Sequence, residues 1–548
     1  MSQPACPVCP VRSPNLPRLR KALVLTALIW GLAQPSAGQT AEQAPGQTSV
    51  RETFTESIDV RVVNVEVVVT DRSGERVTGL GPEDFTLEVG REPRAIEYFS
   101  EVRDGLAVQR AGQSAPGLTA GVPVPTRYLL FVDGDFGMPA AYQQFHRALG
   151  EQIDRLEAHE EMAIVFYDGR ELLEMAEWTS DRRDLRRALD EIDPGSLQGD
   201  RQLQSYRSYR RSIANEQSYA AESRRFAPGV TPLADLPEYA VMKKQLERKV
   251  RNISRATRAA LYRYGDAPGR KVAILWSGGW PWNSREYLRP PWSRDLTSGA
   301  KTENELRSIA DAANRLGYSL YMADTPVNFY GGIANDLHHQ TLDVLARDTG
   351  GIAFKNRSGL GALDRSREDA RTYYWLGFAA PDGGSGDRLK IKLETRDGRL
   401  KVRARGHYLD LPESEQAAQR IEATSVFGFN DAPRLRLDLG EPARTGLRRR
   451  VPISVGIPLD GLSMLPGPEG HRADVEVYFT VINDDGRIKD VPPIPLHISG
   501  PEPRPGDVFY YETELTMRKR TTELTVTVRD VTTDALLVGR RDLTDLLR

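Results

Sequence analysis

YLLFVDGDFG, residues 128–137, decides the fold: five apolar residues run without a polar break into Asp133-Gly134-Asp135-Phe136-Gly137. A strand that alternates apolar and polar residues has one face in water, whereas an uninterrupted run is buried on both faces. Four further runs of this kind follow at 162–166, 272–276, 318–322 and 352–354. Between them lie helical patterns, with Phe145, Leu149, Ile153 and Leu156 on one face and Leu185, Ala188, Leu189 and Ile192 on another. Strand and helix in alternation predict a doubly wound parallel sheet over residues 123–370. Ligands of such sheets bind beyond the carboxyl ends of the strands, near the point where the strand order reverses. That places Asp133 and Asp135 on the functional edge.

On either side the pattern is β. Residues 58–70 (IDVRVVNVEVVVT) alternate and are rich in valine, and 85–89 and 95–99 supply further strands, so 51–105 forms a β segment. These strands are too few to bury a core alone. Residues 371–410, with strands at 389–393 and 400–408 about an Asp397-Gly398 turn, are expected to complete the same sandwich, leaving the α/β unit inserted in it. A second β-sandwich is expected over 432–548, where strands at 451–457, 473–482, 510–517 and 523–528 alternate with turns. The fold class expected is therefore multidomain α/β plus β.

The chain of 548 residues exceeds what one hydrophobic core serves. At its start, Arg12, Arg18, Arg20 and Lys21 precede an apolar run at 22–33 and then Gln34-Pro35-Ser36-Ala37, which predicts a signal peptide over 1–37 and export to the periplasm or beyond. Twelve apolar residues fall short of the roughly 20 that cross a bilayer, so no transmembrane span is expected in the mature chain. A linker of Gln, Ala, Gly and Pro occupies 38–50. Both cysteines, Cys6 and Cys9, lie in the leader, so no disulfide is expected in the mature chain. Without the leader the formal charge moves from −2 to −6, which excludes a general polyanion binder, and no nucleic-acid partner is expected.

Two insertions interrupt the α/β pattern, at 196–235 and 280–300. The first leads into a helix from about 237 to 264, and residues 201–263 hold fourteen Arg or Lys against five Asp or Glu. That run reads as a solvated helix face, or as a contact for an acidic partner or anionic surface. The second insertion holds Trp280, Trp282 and Trp292 close after Trp276. Such a cluster either packs against its own chain or forms an aromatic contact surface.

The strand and turn at 128–137, the strand entering Ser277-Gly278-Gly279, and LDVLARDTGGIAFKN at 342–356 together resemble a von Willebrand factor A domain. With VNVEVVVTDRSGERVTGLGPEDFTLEVGREPRAIEYF at 63–99 and RTYYWLG at 371–377, the chain is similar to the acidobacterial VWFA-related family of exported proteins. The resemblance implies a domain that often holds a divalent cation, such as Mg2+, through Asp-x-Ser-x-Ser, a Thr and a later Asp. Here Asp133 matches the first ligand, Asp135 and Gly137 stand at the serine positions, Ser196 is a weak candidate for the threonine, and Gly278 stands for the later Asp. Mg2+ wants six oxygens in near-octahedral order, and this set offers few. Asp133 and Asp135 either hold a metal or cap the following helix.

Enzyme motifs are missing. No phosphate-loop or dinucleotide glycine pattern occurs, Ser277 lacks a Gly-x-Ser-x-Gly elbow, and His338-His339 are adjacent rather than at the i, i+4 spacing of helical zinc ligands, so they read as surface histidines beside a helix over 340–347. The expected function is a non-enzymatic binding or assembly protein. It would dock a protein partner of the cell envelope through Asp133, Asp135, Gly137, Ser277, Gly278, Trp280, Trp282 and Trp292, in an oligomeric state left open. The alternative is a carbohydrate-binding or hydrolytic protein that stacks sugars on the tryptophans.

Overall fold

The computed structural model describes residues 62–108, 118–223, 237–265, 267–288, 301–325, 333–355, 360–381, 385–426, 435–467, 470–483, 488–490 and 492–547. The expected leader and linker, and Trp292, lie outside the described residues, as do 224–236 and 289–300 of the two insertions.

The chain enters with β1 (Val62–Thr70), β2 (Phe85–Val89), β3 (Glu92–Pro93), β4 (Tyr98–Arg103) and β5 (Leu106–Val108). It then builds an α/β unit from β6 (Thr126–Asp133), α1 (Pro139–Ile153), β7 (Glu160–Tyr167), β8 (Leu172–Thr179), α2 (Arg182–Asp190), α3 (Gly199–Ser223) and α4 (Pro237–Arg263). The unit continues through β9 (Arg270–Ser277), α5 (Ser284–Leu288), α6 (Lys301–Leu316), β10 (Tyr318–Asp324), α7 (Ile333–Asp348), β11 (Ala353–Phe354) and α8 (Ala362–Arg371). Its sheet runs β11-β10-β9-β6-β7-β8, with every pair parallel except β7 and β8. The order reverses between β6 and β9, which makes their carboxyl ends the switch point. The parallel strands carry their apolar runs because both faces are covered; residues 128–133, 162–167 and 272–277 are all buried.

The strands that follow return to the start of the chain. β12 (Tyr373–Ala379) lies between β1 and β4, antiparallel to both. β13 (Arg388–Thr395) pairs with β2, β14 (Lys401–Arg403) with β1, and β15 (His407–Leu409) with β13. The two sheets share a core that includes Val65, Val67, Val69, Phe85, Leu87, Leu376, Phe378 and Ile391. The α/β unit is thus inserted between strands that complete one another.

Helix α9 (Glu413–Val426) then buries Ala417 and Ile421, and its Gln419 accepts from Arg315 of α6 at 2.9 Å. The rest is β: β16 (Arg436–Leu439), β17 (Ala443–Thr445), β18 (Arg448–Pro458), β19 (Leu465–Gly467), β20 (Gly470–Asn483), β21 (Ile488–Asp490), β22 (Ile494–Gly500), β23 (Val508–Arg518), β24 (Thr521–Asp530) and β25 (Leu536–Asp542). One sheet centres on β18 and the other on β20, and they enclose a core with Val451, Ile453 and Val455 on one side and Val477, Phe479 and Val526 on the other.

Three expectations need correction. Residues 199–223 form the 25-residue helix α3 where a polar insertion was expected, because Leu203, Tyr209 and Ile213 give it a narrow buried stripe. His339 belongs to α7 and is half-buried against Asp324 at 3.1 Å, where a surface position was expected. The basic face of α4 is only partly solvated: Arg258 is buried, and Arg251 and Arg263 meet Glu305 and Glu177 at 3.5 and 3.1 Å. Among the described residues no helix is long and apolar enough to cross a membrane.

Candidate functional site

β6 and β9 end side by side, so Asp133 and Ser277 meet at the switch point. The Asp133 carboxylate is fully enclosed and takes four hydrogen bonds. The backbone N–H groups of Asp135 and Phe136 donate to Oδ1 at 2.9 and 3.1 Å, and the Ser277 hydroxyl and the Trp280 indole N–H donate to Oδ2 at 2.6 and 2.8 Å. Burial pushes this carboxyl up to about 6, with the neighbouring Asp135 adding to the rise, while the bonds from Ser277 and Trp280 oppose it.

Asp135 is also buried, and its partner comes from far along the chain. The Lys249 ammonium of α4 donates to Oδ1 at 2.5 Å, and the Gln202 amide of α3 donates to the same oxygen at 3.2 Å. Helix α3 of the first insertion and the helix α4 that follows it therefore close over the edge where an open sheet would take a ligand.

The turn is built for close approach. A Cβ on Gly137 would stand 2.2 Å from the Asp133 carbonyl oxygen and 2.6 Å from the Trp276 ring, and one on Gly278 would stand 2.5 Å from the Phe136 carbonyl oxygen. Only residues without a side chain let the two strand ends come this near. The Trp276 ring stacks on Phe145 at 5.1 Å beneath them.

The aromatic loop turns inward. Trp280 is fully buried and Trp282 is 6% exposed, so neither presents an open surface for a partner or a sugar ring. Thr341 donates to the Trp280 carbonyl, Thr302 donates to the Trp282 carbonyl at 2.9 Å, and Arg307 lies 5.2 Å above the Trp282 ring. Helix α3 clamps the continuation of this loop, with Tyr206 against Tyr287 at 4.6 Å and Tyr209 donating to the Leu288 carbonyl at 2.7 Å.

Asp133, Asp135, Gly137, Ser277, Gly278, Trp280 and Trp282 are thus brought together but buried, with Gln202 of α3 and Lys249 of α4 closing over Asp135. They form the floor of the edge rather than a contact surface. Ser196 stays apart: its exposed hydroxyl donates to the Asp193 carbonyl at 2.6 Å. Lys249 and Gln202 were not identified by sequence reading. Lys249 lies in a run of cations, and nothing in its spacing marks it from the rest.

A divalent cation does not fit these residues. Asp133 already has a donor on each approach, an ammonium holds Asp135, and Gly278 brings no ligand. Among the described residues no cluster of three His, Cys, Asp or Glu could hold a metal.

Fold and site define a class: a multidomain α/β-plus-β protein whose open sheet is capped at its switch point by its own helices. No family model matches the chain, and no curated protein matches it. Solved structures that match include a β-glucuronidase of Bacteroides uniformis, 12% identical, covering 31% of this chain and 18% of that one at a TM-score of 0.14. A β-glucosidase of Kluyveromyces marxianus is 15% identical, covering 54% of this chain and 33% of that one at a TM-score of 0.15. The chain spans a third or less of either protein, and similarity this low carries no argument about fold or activity.

Proposed function

We propose that this chain is an exported, non-enzymatic binding or assembly protein whose von Willebrand factor A-like unit docks a protein partner of the cell envelope without a bound cation. Support for the A-like reading comes from the position of Asp133, at the end of the first core strand and at the switch point, where the resemblance puts the first metal ligand. The observation that carries the cation-free reading is that both carboxylates are engaged from within: four donors on Asp133, and the Lys249 ammonium and Gln202 amide on Oδ1 of Asp135. A buried carboxylate engaged in this way would have to give up internal donors to take a metal.

With the edge capped, the partner meets the cap. Arg201 and Arg211 of α3 and Lys244 and Arg248 of α4 are exposed, so the complementary partner surface is acidic. The test is calorimetric titration of Mg2+, Mn2+ and Ca2+ into the purified protein, beside Asp133→Ala and Lys249→Ala variants. No saturable heat at millimolar metal in the wild type is expected. Saturable binding in the wild type that disappears in Asp133→Ala overturns the reading and restores cation-dependent docking.

A further inference from the structure

The β17–β18 hairpin and the adjacent β23–β24 turn, which crosses from one sheet of the C-terminal β unit to the other, bring seven cations together. Arg444, Arg448, Arg449 and Arg450 lie in β17, β18 and their turn (ARTGLRRR, 443–450), and Arg518, Lys519 and Arg520 lie in the β23–β24 turn (MRKRT, 517–521). Neither stretch contains an acidic residue. The register makes the crowding explicit, since Arg448 stands opposite Arg518 across β18 and β23, and Arg444 opposite Arg449 across β17 and β18. Like charges directly opposite one another weaken a sheet. Arg450 meets Glu514 at 3.5 Å with both side chains half exposed, a long ion pair that relieves little of the Arg448–Arg518 repulsion. At the tip of the first turn Leu447 is 94% exposed.

An apolar tip ringed by cations on rigid strands has the chemistry of a membrane-surface contact. The cations meet lipid phosphates while the tip enters the acyl boundary. A soluble polyanion would use the charges but offer nothing to Leu447. We infer that the β17–β18 and β23–β24 turns form a docking surface for an anionic lipid bilayer, separate from the capped edge of the α/β unit and independent of its function. The exposed Arg448–Arg518 pair then has a purpose: it keeps cations facing outward at a cost that the phosphate surface offsets.

The experiment is flotation of the processed full-length protein with vesicles of phosphatidylcholine alone and of phosphatidylcholine with 30 mol% phosphatidylglycerol, at low and high salt. A cation at an anionic surface is worth about fivefold in partition. The wild type is expected to float at least tenfold more with the anionic vesicles and to lose most of that advantage at high salt. Substituting Arg448, Arg450, Arg518 and Lys519 by Ser should abolish it, while Leu447→Ser, a fully exposed change that leaves the charge intact, should reduce it severalfold. Thermal melting of both variants should match or exceed the wild type, which separates lost docking from lost folding. Equal flotation with both vesicles, or retention by a soluble sulfated polymer with no vesicle binding, overturns the proposal.

Discussion

At the residue scale the chemistry turns on one carboxylate. Asp133 at about 6 lies above its usual value of 3.8, so the folded state holds this proton more tightly than the unfolded chain does. Its contribution to stability is fully present below about pH 4 and is lost as pH rises through 6, by about 3 kcal/mol in all. Protonation removes an acceptor from one of the four donors, and the Trp280 indole is one of them. Tryptophan emission is therefore expected to titrate with a midpoint near 6 and to lose that transition in Trp280→Phe. A flat profile between pH 5 and 7 refutes the assignment. Asp133 was legible in the sequence because an apolar strand ends on it. Its neighbour's partner was not, since Lys249 stands 114 residues from Asp135 and only tertiary packing selects it from the surrounding cations.

At the element scale, the strands that were easy to read are those buried on both faces. The antiparallel edge strand β8 was not read, because its stretch (LLEMAEWT) is half exposed and interleaves acids with apolar residues. Helix α3 was missed for a similar reason: its buried stripe is narrow, and most of its residues are polar. The sequence puts the aromatic loop after the strand that ends at Ser277, but it cannot say which way a tryptophan faces, and the helices α3 and α4 that cover Trp280 and Trp282 come from elsewhere in the chain. The turn from β6 into α1 yields a sharper expectation. Gly137→Ala forces a Cβ against the Asp133 carbonyl and the Trp276 ring, and overpacking of this kind costs about 1–3 kcal/mol. Urea unfolding should register that loss, and a variant as stable as the wild type would show that the two strand ends are not in contact as described.

At the scale of the whole molecule, the inserted α/β unit is fastened to the β strands around it by buried charge. Glu66 of β1 accepts from Arg405 at 2.9 Å and lies 3.4 Å from Arg270 at the start of β9, with all three side chains buried. The strand count indicated that residues flanking the α/β unit had to combine, since neither flank could make a core alone, but the acid on the outer face of β1 gave no sign of its two partners. Burial pushes the Glu66 carboxyl up, yet the two guanidinium groups and the bond from Arg405 outweigh it and hold the carboxyl below its usual range. A depressed carboxylate contributes stability that is present above its unfolded value and is lost as pH falls through its folded value. Acid should loosen this junction below about pH 4, the opposite sense to Asp133. Glu66→Gln leaves two buried guanidinium groups facing a neutral amide, and breaking a buried pair in this way costs about 3–5 kcal/mol. The expected result is a lower midpoint in urea together with a loss of the acid-side slope; if the slope survives in the variant, the fastening lies elsewhere, in the buried Asp369 that pairs with Arg76 and Arg403.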